Sequence, residues 1–154
     1  MGVVCSWSEL ENHLAAIRGK QKIVFTNGCF DWLHVGHIRY LQEAKSCGDI
    51  LVVGVNTDES VRKLKGPTRP VQNESDRAEI LAALSSVDYT VLFSEETPLE
   101  LIKVVRPDIL VKVGDWKPDQ IVGSDLVLKN GGKVFSLQFI NGKSTTGLIN
   151  KAKN

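Results

Sequence analysis

The sequence predicts an α/β fold in a single domain: an open, mostly parallel five-stranded sheet with helices on both faces. Three observations carry this prediction. Apolar runs without a polar face, such as Ile50-Leu-Val-Val-Gly-Val55, read as strands covered on both sides. Segments with helical apolar spacing and capping residues lie between them. The two kinds of segment alternate along 154 residues, a length that suits one domain with a proper core.

Ser6-Trp7-Ser8-Glu9 forms a capping box and opens a helix to about Ile17, with Leu10, Leu14 and Ile17 as its apolar stripe and Gly19 as its stop. Residues 1–20 are thus read as an N-terminal packing helix. Ile23-Val-Phe25 is the first strand, running into the turn Thr26-Asn-Gly28. A helix follows from about His34 to Lys45 and breaks at Gly48, and Ile50–Val55 completes a βαβ unit. Asn56-Thr57-Asp58 supplies caps for a short helix carrying Val61 and Leu64. Lys65-Gly-Pro-Thr-Arg-Pro70 holds two prolines and a glycine, so it reads as a basic loop. Asn73 or Ser75 caps a helix to about Leu84, and Tyr89–Phe93 is the third strand. Thr97-Pro98 starts a helix that ends before Pro107. Ile109–Val113 and Val134–Phe139 are the last two strands, and Ser144-Thr145-Thr146 caps the final helix.

This order is Rossmann-like, and such sheets bind ligands outside the carboxyl ends of their strands, where strand order reverses. The notable polar residues are expected there: Asn27 and Asp31 after the first strand, Asp88 before the third, Lys112 and Asp115 at the fourth, and Ser144 to Thr146 after the fifth.

Bulk properties narrow the function. A formal charge of +1 argues against a general nucleic-acid surface. No apolar run is long enough for a membrane span and no signal peptide is visible, so a cytoplasmic setting is expected. Cys5, Cys29 and Cys47 suit neither a metal site nor a disulfide framework, in keeping with a reducing compartment.

Lys22 to His37 carries the chemistry. A strand runs through the loop Asn27-Gly28-Cys29-Phe30-Asp31 into a helix that begins with His34 and His37. A helix N-terminus offers unpaired N–H groups and the positive end of a dipole, which suits phosphate. The two histidines share one face of the first turn, and Gly36 between them permits close approach. No third residue at suitable spacing supports a metal site. The loop has neither the three-glycine dinucleotide pattern nor a P-loop lysine.

Gly28-Cys-Phe-Asp31 followed by His34-Val-Gly-His37 resembles the signature of the nucleotidyltransferase superfamily marked by a His-x-Gly-His motif. Gly54-Val-Asn-Thr-Asp58, Leu64-Lys-Gly-Pro67, Arg69-Pro70, Asp76-Arg77, Val87-Asp-Tyr89, Thr97-Pro-Leu-Glu-Leu101 and Ser144-Thr-Thr146 then follow in order. From about residue 20 onward the chain is similar to the heptose-1-phosphate adenylyltransferase (ADP-heptose synthase) family. No sugar-kinase domain is present in the sequence, so the stand-alone form of that domain is expected.

The resemblance implies transfer of AMP from ATP to D-glycero-β-D-manno-heptose 1-phosphate, giving ADP-heptose and pyrophosphate for the lipopolysaccharide inner core. It implies His34, His37 and Lys65 as catalytic groups. It implies nucleotide and phosphate contacts from Asn27, Gly28, Cys29, Phe30, Gly36, Lys112, Gly114, Asp115, Ser144, Thr145 and Thr146. Asp31, Arg69, Arg77 and Asp88 would lie on the substrate side, with Asp31 holding its neighbours or facing Mg²⁺. Mg²⁺ would arrive with ATP, and a homodimer is expected. Trp116 is either a base-stacking or a packing residue. The chain departs from the family at Val113, where a glycine is usual, and at Lys151, which stands for an arginine. The rival readings are a cytidylyltransferase acting on a polyol phosphate such as glycerol 3-phosphate, and a nucleotide-binding regulatory module without turnover.

Overall fold

The computed structural model describes residues 2–138 and 145–153. Six strands form one sheet: β1 (Val3–Cys5), β2 (Ile23–Gly28), β3 (Ile50–Asn56), β4 (Tyr89–Phe93), β5 (Ile109–Val113) and β6 (Lys133–Leu137). Their order is β1-β4-β3-β2-β5-β6, and every neighbouring pair is parallel. The expected five strands are therefore corrected to six. The added one is β1, a three-residue edge strand held by β4. Val3 and Val4 are half-exposed, so this strand lacks the long apolar run that marks the central ones.

The helices are α1 (Trp7–Ile17), α2 (Val35–Ser46), α3 (Asp58–Lys65), α4 (Glu74–Ala82), α5 (Leu99–Val105), α6 (Ser124–Lys129) and α7 (Thr145–Lys153). A 3-10 turn at Pro118–Gln120 and α6 occupy the stretch between the last two strands, where the sequence signalled no element. Caps form where the side chains allow: Ser6 and Glu9 close the capping box on α1, and Asn73 accepts from Asp76 N at 2.9 Å to start α4.

Alternate strand residues feed two cores. Phe25, Val52, Val91 and Leu110 pack with Leu10 and Leu14 of α1 and Leu101, Ile102 and Val105 of α5. Val24, Leu51, Val53 and Val111 face the other way, onto Tyr40, Leu41 and Ala44 of α2 and Leu81 of α4. Helices thus cover both faces. From β2 the chain steps outward through β3 to β4, then returns to place β5 on the opposite side of β2. The reversal lies between β2 and β5, and the crevice beyond Asn27, Gly28 and Lys112 opens there. Among the described residues no helix is long and apolar enough to cross a membrane.

Candidate active site

The chain leaves β2 at Gly28, turns at Phe30 and enters α2 after His34. Phe30 has φ +48°, a left-handed conformation that costs energy for any residue with a Cβ. Burial holds it there. Phe30 is 6% exposed, with its ring 5.4 Å from that of His37. A Cβ on Gly28 would lie 2.9 Å from the same ring, so glycine at 28 is what admits it.

The two histidines cap their own helix. His34 Nδ1 accepts from Gly36 N at 3.0 Å, and His37 Nδ1 accepts from His34 N at 3.3 Å. An imidazole nitrogen that accepts from an amide carries no proton, so the His37 ring is a neutral tautomer with hydrogen on Nε2. The rings stack at 3.9 Å. Burial, helped by His34 and Lys65, lowers the His37 pKa from 6.5 to about 4. Near neutral pH His37 is therefore an uncharged N–H donor. Gly36 gives its amide to this cap.

His37 lines a cleft of about 180 Å³ with Gly28, Cys29, Lys65, Arg69 and Val113. Lys65 is the last residue of α3 and not part of a loop, since Gly66 with φ +101° ends the helix after it. Arg69 is tethered by its Nε to Asp31 at 2.5 Å. Its Nη2 is buried and has no acceptor among the described residues. An unsatisfied guanidinium nitrogen beside a neutral imidazole donor is a place for an anion.

Asp31 takes the first of its two expected roles and holds its neighbours. It is 1% exposed and accepts from Val71 N at 2.7 Å, Gln72 N at 3.0 Å and Arg69 Nε. Burial would raise its pKa, but the two amides and Arg69 outweigh it and hold the carboxyl below the usual range. Its oxygens are engaged by these three donors. It locks residues 69–72 beside the cleft.

Arg77 holds its neighbours too. Its Nη1 donates to Cys29 O at 2.6 Å and Asn56 O at 2.7 Å, its Nε to Gln72 O at 2.9 Å, and its Nη2 to Asp58 at 2.8 Å. The side chain is fully buried. It ties the loop after β2 to the end of β3 and the start of α3. Asp88 lies at the wrong end of the sheet. It precedes β4, and in a parallel sheet the residue before a strand sits at the amino ends. There it accepts from Leu51 N at 2.8 Å and Lys45 Nζ at 2.5 Å.

Two further lobes open from the same crevice, and Asn27 lines all three. One, of about 160 Å³, is walled by Leu110, Trp116, Ile121 and Val122. The other, of about 300 Å³, lies beyond the ends of β3 and β4. Lys112 borders both, and burial pulls its pKa below the usual lysine value. Its ammonium lies 5.9 Å from the Trp116 ring centroid. Trp116 donates from its indole to Val113 O at 2.8 Å and is 44% exposed. Gly114 has φ +108°, and a Cβ there would press on the indole. Asp115 is exposed, bonds Gln138, and lines none of these lobes. Ser144 lies outside the described residues. Thr145 and Thr146 begin α7, with side chains outside the description.

Sequence reasoning missed Tyr40, which lines the His37 cleft and whose hydroxyl bonds that of Thr26. The signal was present, since Tyr40 falls one helical turn after His37. Burial raises its phenol pKa.

The cytidylyltransferase-like family model matches residues 25–141, which run from the strand before the histidines past β6. This chain belongs to that family. It is 58% identical over 134 residues to the bifunctional protein HldE of Syntrophotalea carbinolica, and 50% identical over 149 residues to that of Magnetococcus marinus. These alignments cover 87% and 96% of the chain but only 27% and 31% of the relatives. The chain thus spans less than a third of the length of the curated relatives it matches. Among solved structures it is similar to the lipopolysaccharide core biosynthesis protein of Thermoplasma volcanium. The identity is 32% with a TM-score of 0.62, covering 80% of this chain and 99% of that one.

Proposed function

We propose that the protein is a nucleotidyltransferase that moves AMP from Mg·ATP to D-glycero-β-D-manno-heptose 1-phosphate, releasing pyrophosphate. The observation that carries this reading is the convergence on one cleft of the neutral His37 donor, the unpartnered Nη2 of Arg69, and Lys65. An oxygen of the sugar phosphate attacks the α-phosphorus, a new O–P bond forms, and the bond to the β-phosphate oxygen breaks as pyrophosphate leaves. No protein nucleophile is needed. The work is positioning and stabilising charge on the phosphoryl oxygens, which fixed N–H donors do without reorganisation. Mg²⁺ enters on the nucleotide as part of the substrate.

The likeness to a lipopolysaccharide core biosynthesis protein supports a heptose acceptor. The apolar lobe with Trp116 suits an adenine ring, with Lys112 at its border. A cytoplasmic homodimer is the form in which we propose it works. Pyrophosphate release tests the proposal with ATP or CTP against heptose 1-phosphate or glycerol 3-phosphate. Release with ATP and the heptose is expected. Release only with CTP and the polyol phosphate selects the rival enzyme. Nucleotide binding without release in any pairing selects a regulatory module.

A further inference from the structure

We infer that the lobe beyond β3 and β4 is the sugar subsite, and that Glu96 there binds the sugar's hydroxyl groups. This rests on the transferase reading above. The lobe shares Gly28 and Cys29 with the phosphate cleft, so a molecule filling it presents one end to His37, Lys65 and Arg69. Its other wall is different. Asn56, Glu96 and Thr97 line this lobe and neither of the other two.

The chemistry of that wall is specific. A carboxylate accepts from two hydroxyls at once, and charge strengthens both bonds. Asn56 is 4% exposed and its amide is fixed by a 2.8 Å bond to Ser60, which makes it a rigid polar contact. Phe93 and Pro98 supply apolar surface for the ring's C–H faces. Among the described residues no ion pair engages Glu96.

Charge also sets the direction of binding. Lys65 and Arg69 line the phosphate cleft, Glu96 lines the part of this lobe that the cleft does not share, and Lys112 stands where this lobe meets the Trp116 lobe. A sugar phosphate bound the other way would hold its phosphate against a carboxylate, which like-charge repulsion disfavours. With the sugar in this lobe, the Trp116 lobe is left for the nucleotide base. The ligand class is therefore a polyhydroxylated sugar carrying one phosphate.

The test compares wild type with Glu96→Ala, an exposed position whose truncation leaves the core intact. Steady-state pyrophosphate release is measured with ATP and heptose 1-phosphate, with inorganic phosphate as a competitor. Glu96→Ala is expected to raise KM for the sugar phosphate about tenfold or more. KM for ATP should move less than about twofold, and inhibition by inorganic phosphate should be unchanged, because neither ligand reaches Glu96. An unchanged sugar phosphate KM, or an equal rise for ATP, overturns the subsite while the transferase stands. If wild type releases no pyrophosphate, the transferase reading fails, and calorimetric titration of heptose 1-phosphate decides the subsite alone. Weaker binding by Glu96→Ala than by wild type supports it. Equal binding, or none by wild type, overturns it.

Discussion

The two ends of the sheet are both polar, yet they are polar in opposite ways. At the amino ends an aspartate immediately precedes each of three strands. Asp49 accepts from Lys22 N at 2.7 Å, Asp88 from Leu51 N at 2.8 Å, and Asp108 from Ile23 N at 2.8 Å. Each carboxylate stitches its own strand to the amide of a neighbour. At the carboxyl ends the excess is of donors: His37, Lys65, Arg69, Arg77 and Lys112. Two of the carboxylates there, Asp31 and Asp58, are each tied to an arginine. Among the described residues Arg69 still has a buried nitrogen without a partner. Saturated polar groups hold a fold together. A polar group left over, in a cleft, is prepared for something that arrives later.

Four measurements press on this contrast. The largest effect is expected for Arg77→Met. Removing the guanidinium leaves the Cys29, Asn56 and Gln72 carbonyls and Asp58 without their donor, at about 3–5 kcal/mol. The melting temperature should fall by about 10 °C. A fall of only a degree or two would mean that this frame is dispensable. His37→Ala should lower kcat by about 10²–10³-fold while the ATP dissociation constant changes far less, because the donor acts most strongly in the transition state. Equal losses in both would count against that role.

Third is acidity. His37 is held near 4 in the fold against 6.5 when free, so between those values the unfolded chain takes up a proton that the folded one does not. Stability is complete above about pH 6.5 and falls as the pH drops toward 4, by at most about 3 kcal/mol. Thermal melts across that window should show the decline, and His37→Gln should flatten it. Asp31, whose pKa is lowered, adds its own loss only at lower pH, below the ordinary carboxylate value. The smallest effect belongs to Asp88→Asn. It loses a half-exposed pair with Lys45 and should cost about 1 kcal/mol with kcat unchanged. A marked loss of turnover would return Asp88 to the site.

What was legible in the sequence was what is local. The central strands, the caps of α1 and α4, and the strand-loop-helix bearing both histidines all depend on neighbours a few residues apart. The amino-end pattern was in plain view as Asp49-Ile50, Asp88-Tyr89 and Asp108-Ile109, but its meaning needs the sheet order. Holding neighbours was one of two roles open for Asp31, and the work of Arg77 was not visible, because their partners lie 38 and 48 residues away in Arg69 and Cys29. β1 escaped because three residues are too few for a period to show. Asp88 was misplaced by nearness in sequence to a strand whose direction had not been taken into account.

Phe30 and Gly28 behave as one unit. The left-handed turn at Phe30 brings its ring over Gly28, and that ring in turn backs His37. Neither position can change alone. A side chain at 28 needs a smaller residue at 30, and a smaller residue at 30 removes the wall behind the imidazole. In a library randomised at both positions, survivors should carry correlated pairs rather than independent choices. The route by which such a protein drifts or is re-engineered passes through double replacements at this loop.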